Sequence, residues 1–253
     1  MMQFTVASEP SPGRPNEDLA VIGPGWAILL DGATAPEDID SGCIHDVPWL
    51  VRHLGSELVR SLMSTPDMPL VDSLVDAISM TCTAHKATCD LDNPDSPSST
   101  VAMLRQRGIH LDYLLLADSP LVLDLGGDGH PLLLVDDRTA HLSDYSFAGI
   151  RAARNKPGGF YVASTQPDAA YEAVRGTMPV DKIRRGALLS DGASRLVDLF
   201  DRITWTELLD VLQSGGPSEL IARTREVERQ GAMPTDGRRR KPHDDATAIF
   251  LTR

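Results

Sequence analysis

The chain has 253 residues, of which 42% are hydrophobic and 24% are charged, a composition typical of a globular protein. Its formal net charge of −12 disfavours nucleic acid and anionic membrane surfaces as partners, because both require a positive footprint. No apolar run approaches the ~18 residues of a membrane span, and no signal-peptide pattern is present. We therefore expect a cytoplasmic protein, with a monomer as the default.

The three cysteines, Cys43, Cys82 and Cys89, form no disulfide framework, since their number is odd and their spacing shows no pattern. Cys82 and Cys89 are spaced to share one face of a helix. No ligand spacing for zinc is evident around them. We predict that the three cysteines are small packing residues and that the protein resides in a reducing environment.

The first elements in chain order are strands over residues 2–10 and 18–32, the second broken by a Gly-Pro-Gly turn at 23–25. Two helices follow over 47–63 and 69–89, because leucine and isoleucine recur there at four-residue intervals.

After a loop at 90–99, three further strand-like runs lie between residues 99 and 137, with a Gly-Gly-Asp-Gly hairpin turn at 126–129. A helix is predicted over 168–176. The remaining predicted elements are a strand ending near Asp191, helices over 194–200 and 205–230, and a final strand over 244–253.

Strand groups joined by hairpins, with helices grouped separately, favour an α+β fold. We predict a four-layer α-β-β-α sandwich, in which two antiparallel sheets are flanked by helices. The whole chain, 1–253, is predicted to be a single domain.

Two stretches that lie 160 residues apart read almost alike: AILLDGATA at 27–35 and ALLSDGAS at 187–194. Each ends an apolar run in Asp-Gly, which on its own is typical of a turn. Further acids stand at strand ends, namely Glu17 and Asp18, Asp118, and Asp244 and Asp245. Aspartates at neighbouring strand ends repel one another unless divalent cations bind between them, and hard oxygen ligands suit Mg²⁺ or Mn²⁺. Two such ions can promote hydrolysis of a phosphate ester.

The order of these motifs resembles the metal-dependent, type 2C protein phosphatases, whose pattern runs E-D, D-G, G-S-T, G-D-S, S-D-G and D-N-x-T. The resemblance extends from about residue 14 to about residue 250. It implies an enzyme that hydrolyses phosphoserine and phosphothreonine in proteins by attack of a metal-activated water. It also implies two or three bound Mg²⁺ or Mn²⁺ ions and a phosphorylated protein as the partner.

The resemblance assigns the first half of the site to two short motifs. Asp31 would bridge two metals and act as a catalytic residue, and the carbonyl of Gly32 would be a further ligand. Asp18 would act on the first metal, mostly through waters, with Glu17 beside it.

The second half of the site would come from later in the chain. Asp191 and Asp244 would bind the second metal, and Asp191 would also be a catalytic residue. Asp118 would help hold a third, weaker ion together with Asp191.

The chain departs from the family pattern at several positions. The phosphate-binding arginine usually stands four residues before the Glu of E-D, whereas Arg14 stands three before Glu17. Arg14 is nevertheless the expected catalytic phosphate ligand, because a guanidinium fork matches phosphate oxygens. Residues 33–35 read Ala-Thr-Ala where the family has Met or His followed by Gly-Gly, so a histidine general acid is missing there. Ala117 and Asp245 replace a Gly and an Asn, and no predicted ligand is lost.

Other interpretations stay open at this stage. The same site could serve a small phosphorylated metabolite, or the protein could be a pseudophosphatase that acts as a binding module. A purely structural cation site is a third alternative. Asp136 and Asp137 are expected to lie in a solvated turn. His243 is expected to be a solvated or packing residue, and the basic run 238–241 is expected to form a solvated loop.

Overall fold

The computed structural model describes residues 2–33, 39–127, 129–231 and 241–253. The strands, in chain order, are β1 Gln3–Glu9, β2 Leu19–Gly23, β3 Trp26–Leu30, β4 Gly32–Ala33, β5 Ser98–Ser99, β6 Val101–Arg107, β7 His110–Leu116, β8 Leu121–Asp124, β9 Leu132–Leu134, β10 Val174–Pro179, β11 Arg185–Leu189 and β12 Ala246–Thr252. The α-helices are α1 Val47–Ser64, α2 Leu70–His85, α3 Phe147–Ala153, α4 Asp191–Asp198 and α5 Trp205–Arg229.

The strands form two five-stranded antiparallel sheets. The first sheet has the order β1-β12-β11-β8-β9, and the second has the order β10-β7-β6-β3-β2. A short ribbon, β4 with β5, extends from the end of β3. Because β1 pairs with β12, the two ends of the described chain lie side by side in one sheet.

The side chains of β3 explain the layering. Trp26, Ile28 and Leu30 pack with leucines of α1 and α2, whereas Ala27 and Leu29 face the other sheet. Alternate residues of a strand point to opposite faces, so a strand that is apolar throughout is buried on both. A third apolar layer joins α4 and α5 to β11 and β12. The predicted α-β-β-α sandwich is therefore confirmed.

The helix ends follow local sequence signals. The Asp46 side chain accepts a hydrogen bond from the backbone N–H of Trp49 and so caps α1. Thr204 and Glu207 form a capping box at the start of α5. Inside α5, Gly216 adopts a φ of 77° directly before Pro217, which bends the helix at that point. No helix among the described residues is long and apolar enough to cross a membrane.

Two predicted helices differ in extent or type. Helix α2 ends at His85, so Cys89 lies beyond it and does not share a helical face with Cys82. The predicted helix over 168–176 is a 3-10 helix at Pro167–Glu172, and the residues from Val174 onward form β10 instead. Pairing with β7 overrides the local helical pattern, because β10 covers an otherwise unpaired sheet edge. Asp128 of the predicted hairpin turn and Arg238–Arg240 of the basic run lie outside the described residues.

Candidate metal centre and active site

The two Asp-Gly motifs meet at one end of the sandwich. Asp31 follows β3 of the second sheet, and Asp191 follows β11 of the first and begins α4. The backbone N–H of Asp191 donates to Asp31 Oδ2 over 3.1 Å. The repeated phrase in the sequence therefore contributes two parts of one site, one from each sheet.

The antiparallel register brings Asp18 to the same place. Leu19 pairs with Leu30, so Asp18 lies opposite Asp31 at the end of the β2–β3 pair. Asp18 is buried, and its Oδ2 has no hydrogen-bond partner. Asp244 precedes β12, the strand that pairs with β11, and so approaches Asp191.

Asp118 follows the end of β7, and hydroxyl side chains form hydrogen bonds on this side of the cluster. The Asp118 Oδ2 accepts a hydrogen bond of 2.9 Å from Thr139 Oγ1. Thr100 Oγ1 accepts from the backbone N–H of Asp31 at 3.2 Å and lies 2.6 Å from Ser119 Oγ. The S-T and D-S motifs of the sequence are thus joined beside Asp31.

The carboxylates perturb one another strongly. Burial raises the pKa of Asp31 well above its ordinary value, and the charges of Asp18, Asp191 and Asp118 raise it further. Asp191 is exposed in part, but protein atoms crowd its carboxyl group and remove water from it. Desolvation and the charge of Asp244 raise the pKa of Asp191 to about 8, against the lowering effect of Arg195. Desolvation likewise raises the pKa of Asp18 to about 7.

These observations fit divalent cations. The cluster holds only oxygen donors, it concentrates negative charge, and the buried Asp18 Oδ2 lacks a partner. A hard divalent cation satisfies such an atom and removes the mutual repulsion. The residues that the structure brings together include all the aspartates predicted as ligands: Asp18, Asp31, Asp118, Asp191 and Asp244.

Two glycines allow the chain to pass closely beside these acids. A Cβ at Gly32 would collide with the backbone carbonyl of Glu17 and the side chain of Val47. A Cβ at Gly192 would collide with the backbone carbonyl of Asp245. The glycine of each Asp-Gly pair is therefore required by packing between strand ends.

Arg14 lies exposed in the turn between β1 and β2, where its N–H donates to the Ser11 carbonyl over 3.1 Å. The turn is fixed by Asp245, which the sequence marked as an acid at a strand end but not as a support for this turn. Asp245 is buried, and its two oxygens accept hydrogen bonds of 2.6 Å from the backbone N–H groups of Ser11 and Glu17. The segment that carries both Arg14 and Asp18 is thus tied to the end of β12.

A buried ion-pair network supports Asp244. Arg195 donates to Asp244 Oδ2 over 3.1 Å and to Glu228 Oε1 over 2.7 Å. Glu228 also accepts from Arg225 and contacts His243 Nδ1 at 2.8 Å. His243 is therefore a packing residue paired with Glu228. This network was not predicted, because Arg195 lies 33 residues from Glu228 and 49 residues from Asp244 in the chain.

Asp136 corrects the expectation of a solvated turn. It is buried and accepts the backbone N–H of Ala117 over 3.0 Å, and Arg138 donates to both of its oxygens. Ala117 has a φ of 65°, a conformation that costs a residue with a Cβ ~1–2 kcal/mol. This backbone requirement explains why the family pattern has Gly at this position. Asp137 is exposed, as predicted.

No family model and no curated protein sequence matches the chain. Several solved structures match over its whole length. The PPM Ser-Thr phosphatase MsPP from Mycobacterium smegmatis is 17% identical, with a TM-score of 0.62 over 99% of this chain and 97% of that one. The phosphatase Stp1 from Staphylococcus aureus is 12% identical, with a TM-score of 0.65 over 100% and 95%.

The chain has the PPM phosphatase fold. A third match is the catalytic domain of the serine threonine protein phosphatase PstP in complex with two manganese ions, which is 18% identical. Its TM-score is 0.60 over 99% of this chain and 97% of that one. The PPM fold at these identities establishes the architecture, and the chemistry must be argued from the aspartate cluster itself.

Proposed function

We propose that this protein is a metal-dependent phosphatase that hydrolyses phosphoserine and phosphothreonine in proteins. The observation that carries the proposal is the convergence of five aspartates from both sheets at one end of the sandwich. Carboxylate oxygens suit Mg²⁺ or Mn²⁺. The manganese ions of PstP, which shares this fold, support a divalent cation here.

The chain would hold the ions as follows. Asp31 lies centrally and would bridge two ions, with the Gly32 carbonyl beside it. Asp18 would serve the first ion with Glu17 adjacent, and the second and third ions would be held by Asp191, Asp244 and Asp118. When bound, the ions would lower the pKa of a bound water to about 7. They would also offset the charge of the phosphoryl group.

The rest of the chemistry would depend on the chain's own side chains. Arg14 would orient the phosphate through its guanidinium group. The hydrogen bonds that Asp245 accepts from the backbone of Ser11 and Glu17 hold the turn that carries Arg14. Ala33 offers no proton to a leaving group. We therefore expect a steeper dependence on the leaving group than an enzyme with a general acid would have.

The experiment is phosphate release from a phosphothreonine peptide with Mn²⁺, compared with a phosphorylated sugar at the same concentration. Peptide hydrolysis that is abolished by EDTA and by Asp31→Asn supports the proposal. Asp76→Asn changes an exposed aspartate of α2 and is the matched control, which should keep full activity. Preference for the sugar would instead assign a metabolite phosphatase, and a folded protein inactive on both would be a binding module.

A further inference from the structure

A second group of potential metal ligands lies outside the aspartate cluster. Cys43, His85 and Cys89 place one ligand atom each within 4.8 Å of one another. The separation between Cys43 Sγ and His85 Nδ1 is 3.4 Å, and that between the two sulfurs is 2.7 Å. No zinc spacing is evident in the sequence, because Cys43 lies 42 residues before His85 and 46 residues before Cys89.

The donor atoms suit a borderline-soft cation. Zinc binds thiolate at ~2.3 Å and imidazole at ~2.1 Å, so a tetrahedral ion would separate a sulfur from a nitrogen by roughly 3.5 Å. The observed separation of 3.4 Å between Cys43 Sγ and His85 Nδ1 matches this geometry. The two sulfurs would have to part by about 1 Å to reach the roughly 3.8 Å between two thiolates on one zinc ion.

The surroundings contact the Cys89 sulfur and hold the imidazole of His85 in place. The hydroxyl oxygen of Thr88 lies 3.7 Å from the Cys89 sulfur. His85 is buried, and its ring lies 5.1 Å from that of Trp49.

The two segments that carry these ligands are already held together. The backbone N–H of Asp90 donates to the Gly42 carbonyl over 2.8 Å, and Asn93 Nδ2 donates to the Asp40 carbonyl over 3.1 Å. These contacts order the loop that carries Cys43 against the segment after α2. A metal ion would therefore bind to a largely preformed site.

We propose that Cys43, His85 and Cys89 form a structural zinc site, with a water as the fourth ligand on its solvent side. Both cysteines are partly exposed, which leaves room for that water. The site would join the chain that follows β4 to the chain that precedes β5, and these strands flank Asp31. Zinc would thus support the ribbon beside the aspartate cluster without taking part in the reaction.

The experiment uses the full chain, purified under reducing conditions and titrated with Co²⁺ as a spectroscopic probe for zinc. Only sulfur ligands produce a thiolate-to-cobalt charge-transfer band, so the aspartate cluster does not contribute. We expect the band to reach the intensity of one thiolate-bound ion per chain in wild type and in Asp191→Asn, and to disappear in Cys89→Ser. The matched control is Cys82→Ser, which removes the cysteine outside the group and should retain the band.

Alkylation of the wild-type protein tests the same site without a variant that has to fold. With zinc bound, iodoacetamide should modify Cys43 and Cys89 slowly, and chelation should speed their modification while it leaves the rate at Cys82 unchanged. Chelation should also lower the melting temperature by several degrees. A Cys43–Cys89 disulfide in the purified protein, or free thiols that bind neither metal, would overturn the proposal.

Discussion

Asp245 links two parts of the candidate site through backbone hydrogen bonds alone. Its oxygens accept the N–H groups of Ser11 and Glu17, 234 and 228 residues away in sequence. A carboxylate can accept both bonds, whereas the Asn of the family pattern has a single acceptor oxygen. Asp at position 245, in place of the Asn of the family pattern, therefore fits a turn that presents two backbone N–H groups.

We predict that Asp245→Ala destabilises the fold by about 2–4 kcal/mol, because two charge-assisted hydrogen bonds to partly buried N–H groups are lost. Asp245→Asn should lose one bond and cost about half as much. Urea unfolding measures both, and KM for an aryl phosphate should rise in the same order. Equal stability of all three proteins would show that the turn is held by other contacts.

Arg14 is predicted to bind phosphate although it stands one residue nearer to Glu17 than in the family pattern. Its turn is irregular, so the shift does not fix the direction of its side chain as it would in a strand. Arg14→Ala should raise KM about tenfold or more, and Arg14→Lys should recover only part of the loss, because lysine lacks the fork. Arg52→Ala on the exposed face of α1 is the control. Unchanged kinetics in Arg14→Ala would remove Arg14 from the site.

Asp191 and its neighbours make the metal-free protein sensitive to pH. A carboxyl group whose pKa is raised on folding contributes stability that is present at low pH and is lost as pH rises through the folded pKa. The pKa values, raised from 3.8 to about 7 for Asp18 and about 8 for Asp191, place this loss between about pH 4 and about pH 8, a range that includes pH 5 to pH 8.

In EDTA, the melting temperature of wild type should therefore fall from pH 5 to pH 8, and Asp191→Asn should flatten that fall. With saturating Mn²⁺ the fall should be reversed in wild type, since the ion binds the ionised cluster. Scanning fluorimetry across this range gives both results. A metal-free protein whose melting temperature does not change over this range would contradict the repulsive cluster.

At the residue scale, the sequence predicted the acids but not their supports. Aspartates at strand ends are visible because apolar runs precede them, and the register then brings Asp18 opposite Asp31. The supporting roles were not visible: Asp136 was expected in a solvated turn, Asp245 was noted only as a strand-end acid, and Arg195 was not predicted to contact the site. Their partners lie on other elements, so their roles appear only when the sheets are assembled.

At the element scale, α4 and α5 hold the end of β12 in place through Arg195 and Glu228. Both side chains are buried, and Arg195 contacts Asp244 as well. Removal of one member of a buried ion pair leaves an uncompensated charge in the interior.

We predict that Arg195→Ala costs about 3–5 kcal/mol in the free energy of unfolding and weakens Mn²⁺ binding, since Asp244 loses its anchor. The matched control is Arg223→Ala, which breaks the exposed pair with Glu219 on α5 and should cost less than about 1 kcal/mol. Chemical denaturation compares the two variants. Similar small losses in both would mean that the network contributes little.

The elements themselves were predictable where they have a clear period. Helix α1 was predicted within one residue of its end, because its leucines mark one face and prolines follow it. The segment over 168–176 was predicted wrongly, since a short amphipathic pattern cannot reveal that β7 needs an edge partner. Tertiary pairing decides such short segments.

At the scale of the whole molecule, the sandwich brings the ends of the two sheets together at Asp31 and Asp191. Three apolar layers fix the positions of β3 and β11, and the site forms where both strands end. The grouping of strand runs joined by hairpins, with the helices in separate groups, was sufficient to predict the four layers. The assignment of the chemistry also needed the ordered motifs, because the fold alone does not determine activity.

The central claim is that the aspartate cluster is a divalent-metal centre that hydrolyses phosphate monoesters. The most direct measurement is hydrolysis of p-nitrophenyl phosphate by wild type and Asp191→Asn with Mn²⁺, Mg²⁺ or EDTA. We predict metal-dependent turnover in wild type, none in EDTA, and a loss of at least about a hundredfold in Asp191→Asn. Turnover that persists in EDTA, or that Asp191→Asn leaves unchanged, would contradict the account, as would a folded, metal-loaded wild type with no activity.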